Sequence, residues 1–241
     1  MSVWRDIATV FARASSGAGD MLAGLVEAVR TVFEGDEATR RQVAFSIAII
    51  ALSAKMAKAD GIVTDDEVRA FQDVFEVPEH EFANVQRLYN LARRDVTGFD
   101  SYARQVRSLF PGEGADDEAV LQDVLDALFH IAKADTVLHE NELAFLEDVS
   151  ATFGFDRLAF ERIKARHAMG GEGDPFAVLG ASADMDYRDI RRLYLRQVAE
   201  NHPDRLLARG VPPEFINVAN DRTAALNDAW ASVEKLYGRA S

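Results

Sequence analysis

The chain of 241 residues is long enough for one large domain or two small ones, and its 48% apolar residues can fill packed cores. It contains no cysteine, which excludes disulfide bonds, thiolate metal sites and a cysteine nucleophile, and which favours a reducing, cytoplasmic location. A formal net charge of −13 argues against nucleic acid as a partner, because a polyanion would repel the chain.

Residues 1–34 are predicted to form an N-terminal amphipathic helical arm. A break rich in small residues at positions 15–19 separates two amphipathic stretches, of which the second covers residues 21–33. The apolar face of the first stretch carries Val3, Trp4, Ile7, Val10 and Phe11. Such an arm can pack on its own domain or on a second copy of the chain, or it can lie on a membrane surface. Packing on protein is the preferred interpretation.

No transmembrane segment is predicted. The most apolar run, residues 43–54, carries no charge but is shorter than the roughly 20 residues that span a bilayer, so we expect a buried helix there. Charged residues near the N-terminus also interrupt any signal peptide. The expected location is therefore the cytoplasm, with peripheral contact at the inner membrane as the alternative.

An internal repeat organises residues 35–169. The tetrapeptide Ala-Lys-Ala-Asp occurs at residues 57–60 and again at residues 132–135, each time followed by a short acidic turn and a further apolar periodic stretch. Each copy therefore predicts a helical hairpin, and two such hairpins can bury their apolar faces against each other. This part of the chain is predicted to be an acidic helical domain.

Acidic side chains recur at matching positions of the two repeats and could converge on a Ca²⁺ or Mg²⁺ ion, since both ions prefer oxygen ligands. The candidate ligands are Asp60, Asp65, Glu67, Asp135, Glu140 and Glu142. Neither turn has the alternating aspartates of an EF-hand loop, and helix starts favour acidic residues through the helix dipole. A structural role is the preferred interpretation, and no cofactor is otherwise expected.

A glycine-rich linker at residues 170–173 is predicted to precede a second domain at residues 174–241. That domain has nine Lys+Arg and ten Asp+Glu, so residues 1–173 carry a net charge of −12. Its predicted elements are a short helix capped by Asp174, a helix over residues 187–201 and a long helix after two prolines at residues 212–213. The aromatic residues Tyr194 and Trp230 are expected to lie in its core.

The middle helix of this second domain carries the one basic stripe in the protein, formed by Arg188, Arg191, Arg192 and Arg196. A proline at position 203 ends that helix and favours an extended backbone at His202, so His202 and Asp204 are predicted to project from the turn. A solvated helix face and a pair of capping groups are the structural alternatives. A hydrolase is not supported, because no nucleophile or second carboxylate lies near this pair in sequence.

Residues 174–237 resemble a J domain. The resemblance rests on Val178-Leu179-Gly180, Ile190-Arg191-Arg192, Tyr194, His202-Pro203-Asp204-Arg205 and Leu226-Asn227-Asp228-Ala229-Trp230. The loop at residues 205–214 is similar to that of the DjlA family of J proteins, and the hairpin repeats are similar to a TerB-like domain. The resemblance implies an all-α fold, in which a TerB-like helical bundle with the internal repeat precedes a small J-domain hairpin.

The resemblance also implies a function. It predicts a co-chaperone, not an enzyme, that stimulates ATP hydrolysis by an Hsp70 of the DnaK type while the TerB-like domain targets or regulates it. His202, Pro203 and Asp204 would trigger hydrolysis, and the docking residues would be Arg188, Arg191, Arg192, Arg196 and Arg205. The alternative is a metal- or membrane-responsive stress module with a degenerate J domain. DjlA proteins usually begin with a membrane-spanning segment, whereas residues 1–33 carry charges here.

Overall fold

The computed structural model describes residues 3–14, 21–59, 77–79, 82–94, 99–111, 115–133, 138–167 and 174–238. All regular secondary structure in these ranges is helical, which confirms the predicted all-α fold. The helices of the first two thirds of the chain are α1 Val3–Ala14, α2 Met21–Val32, α3 Glu37–Ala59, α4 Phe82–Arg94, α5 Phe99–Leu109, α6 Ala115–Ala132, α7 Glu140–Phe153 and α8 Arg157–Arg166.

Helix α3 is the centre of this bundle and contacts α1, α2, α4, α5, α6 and α7. Its uncharged residues 43–54 are all buried, as the sequence predicts. The two serines in this run do not leave polar groups unsatisfied, because Ser46 Oγ donates to the carbonyl oxygen of Gln42 and Ser53 Oγ donates to that of Ile50. A helix buried on all sides explains why this segment is apolar around its whole circumference.

The N-terminal arm packs on the rest of its own chain. Helix α1 contacts α2, α3 and α4, and all five apolar residues of its predicted face are buried. The apolar face of α1 is thus covered within the molecule, as the preferred interpretation of the sequence has it.

The second copy of the internal repeat corresponds to α6 followed by α7, which pack against each other. Residues 134–137 between them lie outside the described residues, as do residues 60–76 of the first copy and the predicted linker at 170–173. Helix α8 then begins after Asp156, whose side chain accepts a hydrogen bond from the backbone N–H of Ala159 at 2.7 Å.

The last part of the chain forms α9 Pro175–Val178, α10 Tyr187–Glu200, α11 Pro203–Ala208, a 3₁₀ turn Pro213–Phe215 and α12 Ile216–Gly238. The predicted cap is confirmed, since the Asp174 side chain accepts a hydrogen bond from the backbone N–H of Phe176 at 3.0 Å. Helices α10 and α12 pack against each other, and α9 packs on α12.

A small core holds these C-terminal helices together. The rings of Tyr194 and Trp230 stack with centroids 5.1 Å apart, and the Tyr194 hydroxyl donates to Asn227 Oδ1 at 2.9 Å. Trp230 is buried, which confirms its predicted place in the core. The other buried members of this core are Val178, Leu179, Ile190, Leu226, Ala229 and Val233.

The segment that follows α10 does not pack in this small core. Its apolar side chains are buried in the large core around α3. Phe215 packs edge-on against Phe45 of α3 with ring centroids 5.0 Å apart, and its ring lies 6.4 Å from that of Trp4 in α1. Leu206 and Val211 belong to the same large core. The division between residues 35–169 and 174–241 stays a prediction, but the two parts share buried side chains.

A glycine permits this close approach. Gly210 has a φ of 98°, in the left-handed region, and a Cβ at this position would collide with the side chain of Arg41 in α3. The Arg41 side chain in turn donates from Nε to the carbonyl oxygen of Arg209 at 3.0 Å. The loop after α11 is therefore fastened to α3 by its backbone as well as by its apolar side chains.

Candidate functional site

The turn at His202 has the conformation that its proline predicts. Helix α10 ends at Glu200, and His202 is extended, with φ −64° and ψ 136°, before Pro203 begins α11. The His202 ring caps α11, because its Nδ1 accepts the backbone N–H of Asp204 at 3.3 Å. With Nδ1 as acceptor, the ring proton lies on Nε2, which is left as a hydrogen-bond donor.

Both polar side chains of the turn face solvent. The side chain of His202 is 61% exposed and that of Asp204 is 87% exposed, with 3.6 Å between His202 Nδ1 and Asp204 Oδ2. The turn therefore serves two purposes. It caps a short helix, and it presents an imidazole donor and a carboxylate side by side.

The arginine stripe lies on the surface of α10 and is exposed along its whole length. Arg192 forms an ion pair with Asp189 of the same helix, and Arg196 lies 3.9 Å from Glu200. Such exposed pairs contribute little stability and exchange easily for a partner's carboxylates. Arg205, the fifth predicted docking residue, is exposed on α11 one turn beyond His202.

Behind the turn lies a buried ionic network that was not predicted from the sequence. Two aspartates of α6 are its acidic members, and both are buried. Asp123 accepts from Arg209 Nε at 2.8 Å and Nη2 at 3.0 Å, and from Arg222 Nη1 at 2.8 Å. Arg222 lies on α12, so this carboxylate joins the bundle to the C-terminal helices.

The second aspartate, Asp126, has three partners. Its carboxylate contacts Arg166 Nη2 at 3.0 Å, Arg222 Nη2 at 2.8 Å and His167 Nε2 at 3.0 Å. Burial alone would raise the pKa of Asp126, but the Arg166 and Arg222 guanidinium groups outweigh burial and hold that pKa well below its usual range. Asp126 is therefore ionised at neutral pH.

The network holds the backbone just before His202. The Asn201 side-chain oxygen accepts from Arg222 Nη1, and its Nδ2 donates to the carbonyl oxygen of Gln197 at 2.7 Å. Arg209 Nη1 donates to the carbonyl oxygen of Glu200 at 3.3 Å. The buried carboxylates of α6 thus position the end of α10, and with it the exposed turn.

A signal for this network was present in the sequence. Arg222 interrupts the apolar face of α12, and Asp123 and Asp126 interrupt that of α6. A charge on an otherwise buried face needs a charged partner. The sequence does not say which partner it has, because Asp123 and Arg209 are 86 positions apart.

The pH dependence of stability should follow from His167. Burial lowers the pKa of His167 below its ordinary 6.5, more than the hydrogen bond to Asp126 raises it, and Arg166 and Lys133 lower it further. The folded protein keeps this ring neutral while the unfolded chain takes up a proton, so stability should fall as the pH drops below about 6.5. Burial likewise lowers the pKa of His130 despite Asp221, with the same sign.

Urea unfolding between pH 7.5 and pH 5 measures this effect. Replacing His167 with Gln should flatten the slope of the unfolding free energy by up to about 1.4 kcal/mol per pH unit, the value for one proton. An unchanged slope in this variant would contradict the assignment.

The predicted metal ligands are only partly described. Asp60, Asp65, Glu67 and Asp135 lie outside the described residues. Glu142 is buried and accepts the backbone N–H of His139 at 2.9 Å, which makes it a helix-capping group, and Glu140 is exposed in the first turn of α7. Within the described ranges, no group of three or more potential ligands could hold a metal ion. The metal site stays a prediction.

None of the helices in the described ranges combines the length and the apolar character needed to cross a membrane.

Comparison with known proteins agrees with this architecture. Residues 46–165 match the family model described as "Tellurite resistance protein TerB". The chain is 29% identical to "Co-chaperone protein DjlA" of Photobacterium profundum, over 82% of this chain and 79% of that protein. The protein of the same name from Aliivibrio fischeri is 26% identical, over 85% of this chain and 82% of that protein. No solved structure matches significantly.

The fold and the family match together define an all-α protein whose residues 46–165 are similar to the TerB family. The chain is DjlA-like: the relatives of that name match it over 82% and 85% of its length.

Proposed function

We propose that this protein is a co-chaperone whose C-terminal helices form a J domain that stimulates ATP hydrolysis by an Hsp70 of the DnaK type. The observation that carries the proposal is the exposed His202-Pro203-Asp204 turn at the end of an arginine-lined helix. The relatives named "Co-chaperone protein DjlA" support it.

Docking is assigned to the arginine stripe. Arg188, Arg192 and Arg196 follow one another at intervals of four residues on α10, so they share one face of the helix. Guanidinium groups form charge-assisted, bidentate hydrogen bonds with carboxylates, which orients an acidic partner and speeds its approach. In a protein with a net charge of −13, this stripe gives an acidic surface a basic place to bind.

Triggering is assigned to the turn itself. The Asp204 carboxylate can accept hydrogen bonds from a cationic side chain of the partner, and His202 Nε2 can donate one beside it. Pro203 fixes the backbone between the two side chains. The ATP chemistry takes place in the partner, so this chain acts as a regulator and not as an enzyme.

Targeting or regulation is assigned to the TerB domain. The buried aspartates of α6 hold the end of α10 through Arg209 and Arg222, so movement of the bundle would displace the turn. A cytoplasmic location, where a DnaK-type Hsp70 is found, belongs to the same proposal.

Steady-state ATP hydrolysis by the DnaK-type Hsp70 of the same cell tests the proposal. Adding the purified full-length chain should accelerate hydrolysis in a saturable manner. If hydrolysis stays at its basal rate with the chain in large excess, the proposed function is wrong.

Replacing Arg191 with Glu tests docking separately from triggering. This side chain is exposed on α10, and reversing its charge should raise the half-stimulating concentration of the protein about three- to tenfold, because an attraction becomes a repulsion. The maximal rate should change little, and the loss should shrink at high salt.

The matched control is Arg157→Glu, at an arginine that is likewise exposed, lies at the start of α8 and is outside the stripe. It makes the same change in net charge and should leave the half-stimulating concentration unchanged. Equal losses in both variants would show that net charge, and not the stripe, governs docking.

A further inference from the structure

The buried network between the bundle and the C-terminal helices carries more positive than negative charge. Three guanidinium groups, those of Arg166, Arg209 and Arg222, surround the two carboxylates of Asp123 and Asp126. The ring of His167 does not supply a negative charge in any protonation state. The neighbouring Arg41 pairs with the buried Asp117, and its second partner, Glu37 at 3.8 Å, is 71% exposed and does not belong to the buried network. The network is therefore one negative charge short.

Two donors of the same network lack partners. Nε of Arg166 and Nε of Arg222 are buried and form no hydrogen bond in the described part of the chain. Both residues are more than nine-tenths buried. An unpaired buried N–H and an uncompensated buried charge are each costly, so both features point to a missing acceptor that is also an anion.

A cleft of about 400 Å³ lies where such an acceptor could enter. It opens between α6, α8 and α10, and Arg166, Arg222 and Asp123 form part of its wall. Three further arginines, Arg162, Arg196 and Arg205, also line it. Arg209 is the sixth arginine of the lining. The four acidic residues there are Asp116, Glu118, Asp123 and Glu200, so the lining is positive in a protein that is acidic as a whole.

A second cleft of about 470 Å³ also reaches Arg166 and Arg222. With Arg166 and Arg222 included, as for the first cleft, its lining has three basic residues against Asp221 and Asp228, a positive excess of one instead of two. The first cleft, which has the larger positive excess, is therefore the expected anion site.

We propose that the cleft between α6, α8 and α10 binds a small oxyanion, which completes the buried network through Arg166 and Arg222 and is held at its rim by Arg162. Guanidinium groups match phosphate and carboxylate oxygens in a fork geometry, and several arginines around one pocket favour the more highly charged phosphate. Because Arg222 also bonds Asn201 directly before His202, a bound anion would stiffen the exposed turn.

Thermal unfolding of the full-length protein with inorganic phosphate tests this site, with sodium chloride at matched ionic strength as the reference. Phosphate should raise the Tm in a saturable manner, by several degrees at about 100 times the Kd, because only the folded state binds it. Sodium acetate in a parallel titration distinguishes the two sources: a response to phosphate alone assigns a free phosphate, and a response to acetate assigns a carboxylate. A flat Tm with both anions overturns the proposal.

Two variants locate the site. Arg162→Gln should weaken phosphate binding about tenfold, the effect of losing one charge-assisted contact of about 1.4 kcal/mol, when measured by calorimetry. Arg157 is on the same helix, is likewise exposed and lies outside the cleft, so Arg157→Gln should bind phosphate like the parent. Equal affinity in both variants, or an equal loss, overturns the assignment of the cleft.

Arg166→Met tests the excess charge. It leaves two arginines for two carboxylates, so the network becomes neutral and the response of the Tm to phosphate should disappear. If this variant does not fold, the comparison of Arg162→Gln with Arg157→Gln decides the matter without it. None of these measurements depends on Hsp70, so their outcome is independent of the proposed function.

Discussion

Replacing His202 with Gln is expected to abolish stimulation of the Hsp70 ATPase and to leave the protein folded. The His202 side chain is 61% exposed, and its one described hydrogen bond is the cap on the Asp204 N–H. A glutamine carbonyl can still accept a hydrogen bond from the start of α11, so the unfolding free energy should change by less than about 1 kcal/mol. The imidazole donor at Nε2 is lost, and with it the group that we assign to triggering.

The expected result is a fall of more than about tenfold in the stimulated rate at saturating protein, equivalent to at least about 1.4 kcal/mol in activation free energy. Steady-state ATP hydrolysis measures the rate, and a thermal melt verifies that the variant is folded. The effect should appear in the maximal rate, in contrast to Arg191→Glu, which should act on the half-stimulating concentration.

His139 provides the matched control. It is an exposed histidine directly before a helix, like His202, but it stands at the N-cap position of α7 in the bundle. The His139→Gln variant should stimulate like the parent. Full stimulation by His202→Gln would show that the turn is a structural cap and no more, and the triggering assignment would then be abandoned.

Truncating Phe215 to Ala should produce the largest loss of stability among the changes considered. Phe215 is 1% exposed, packs edge-on against Phe45 and contacts the Trp4 ring, so its removal leaves a cavity between α1, α3 and the start of α12. A buried Phe→Ala change costs about 3–5 kcal/mol, to which an aromatic pair adds about 0.5–1.5 kcal/mol. Urea unfolding followed by circular dichroism and tryptophan fluorescence measures the loss.

Leu207→Ala is the control for this prediction. Leu207 lies in the same segment but is 38% exposed, so its truncation should cost less than about 1 kcal/mol. A single unfolding transition that shifts as a whole in Phe215→Ala would show that the bundle and the C-terminal helices unfold together. A loss of less than about 1 kcal/mol in this variant would mean that the contact with the α3 core does not stabilise the protein.

The helices themselves could be predicted from the sequence. Residues within a few positions of one another determine the apolar face of α1, the buried run of α3 and the cap of α9. The same holds for the turn at His202, because Pro203 acts on the residue directly before it. The resemblance to DjlA proteins and to TerB was also correct, since it rests on short motifs and a repeat.

The docking of the C-terminal helices on the bundle could not be predicted. A glycine-rich stretch at residues 170–173 indicates a flexible connection, and nothing local shows that Phe215 leaves its own helical hairpin for the core around α3. The helical spacing of the apolar residues between Phe215 and Val233 marks Phe215 as buried. It does not identify the surface that buries it.

The buried network likewise separates what the sequence determines from what only the tertiary structure determines. The sequence by itself determined that Arg222 would sit on an apolar face and that the turn at His202 would be presented, because helix period and proline act locally. Only the tertiary structure decided that Arg222 meets Asp123 and Asp126, which are brought to it from nearly 100 positions away. Electrostatic pairing of buried groups depends on distances in space, and residue order does not fix those distances.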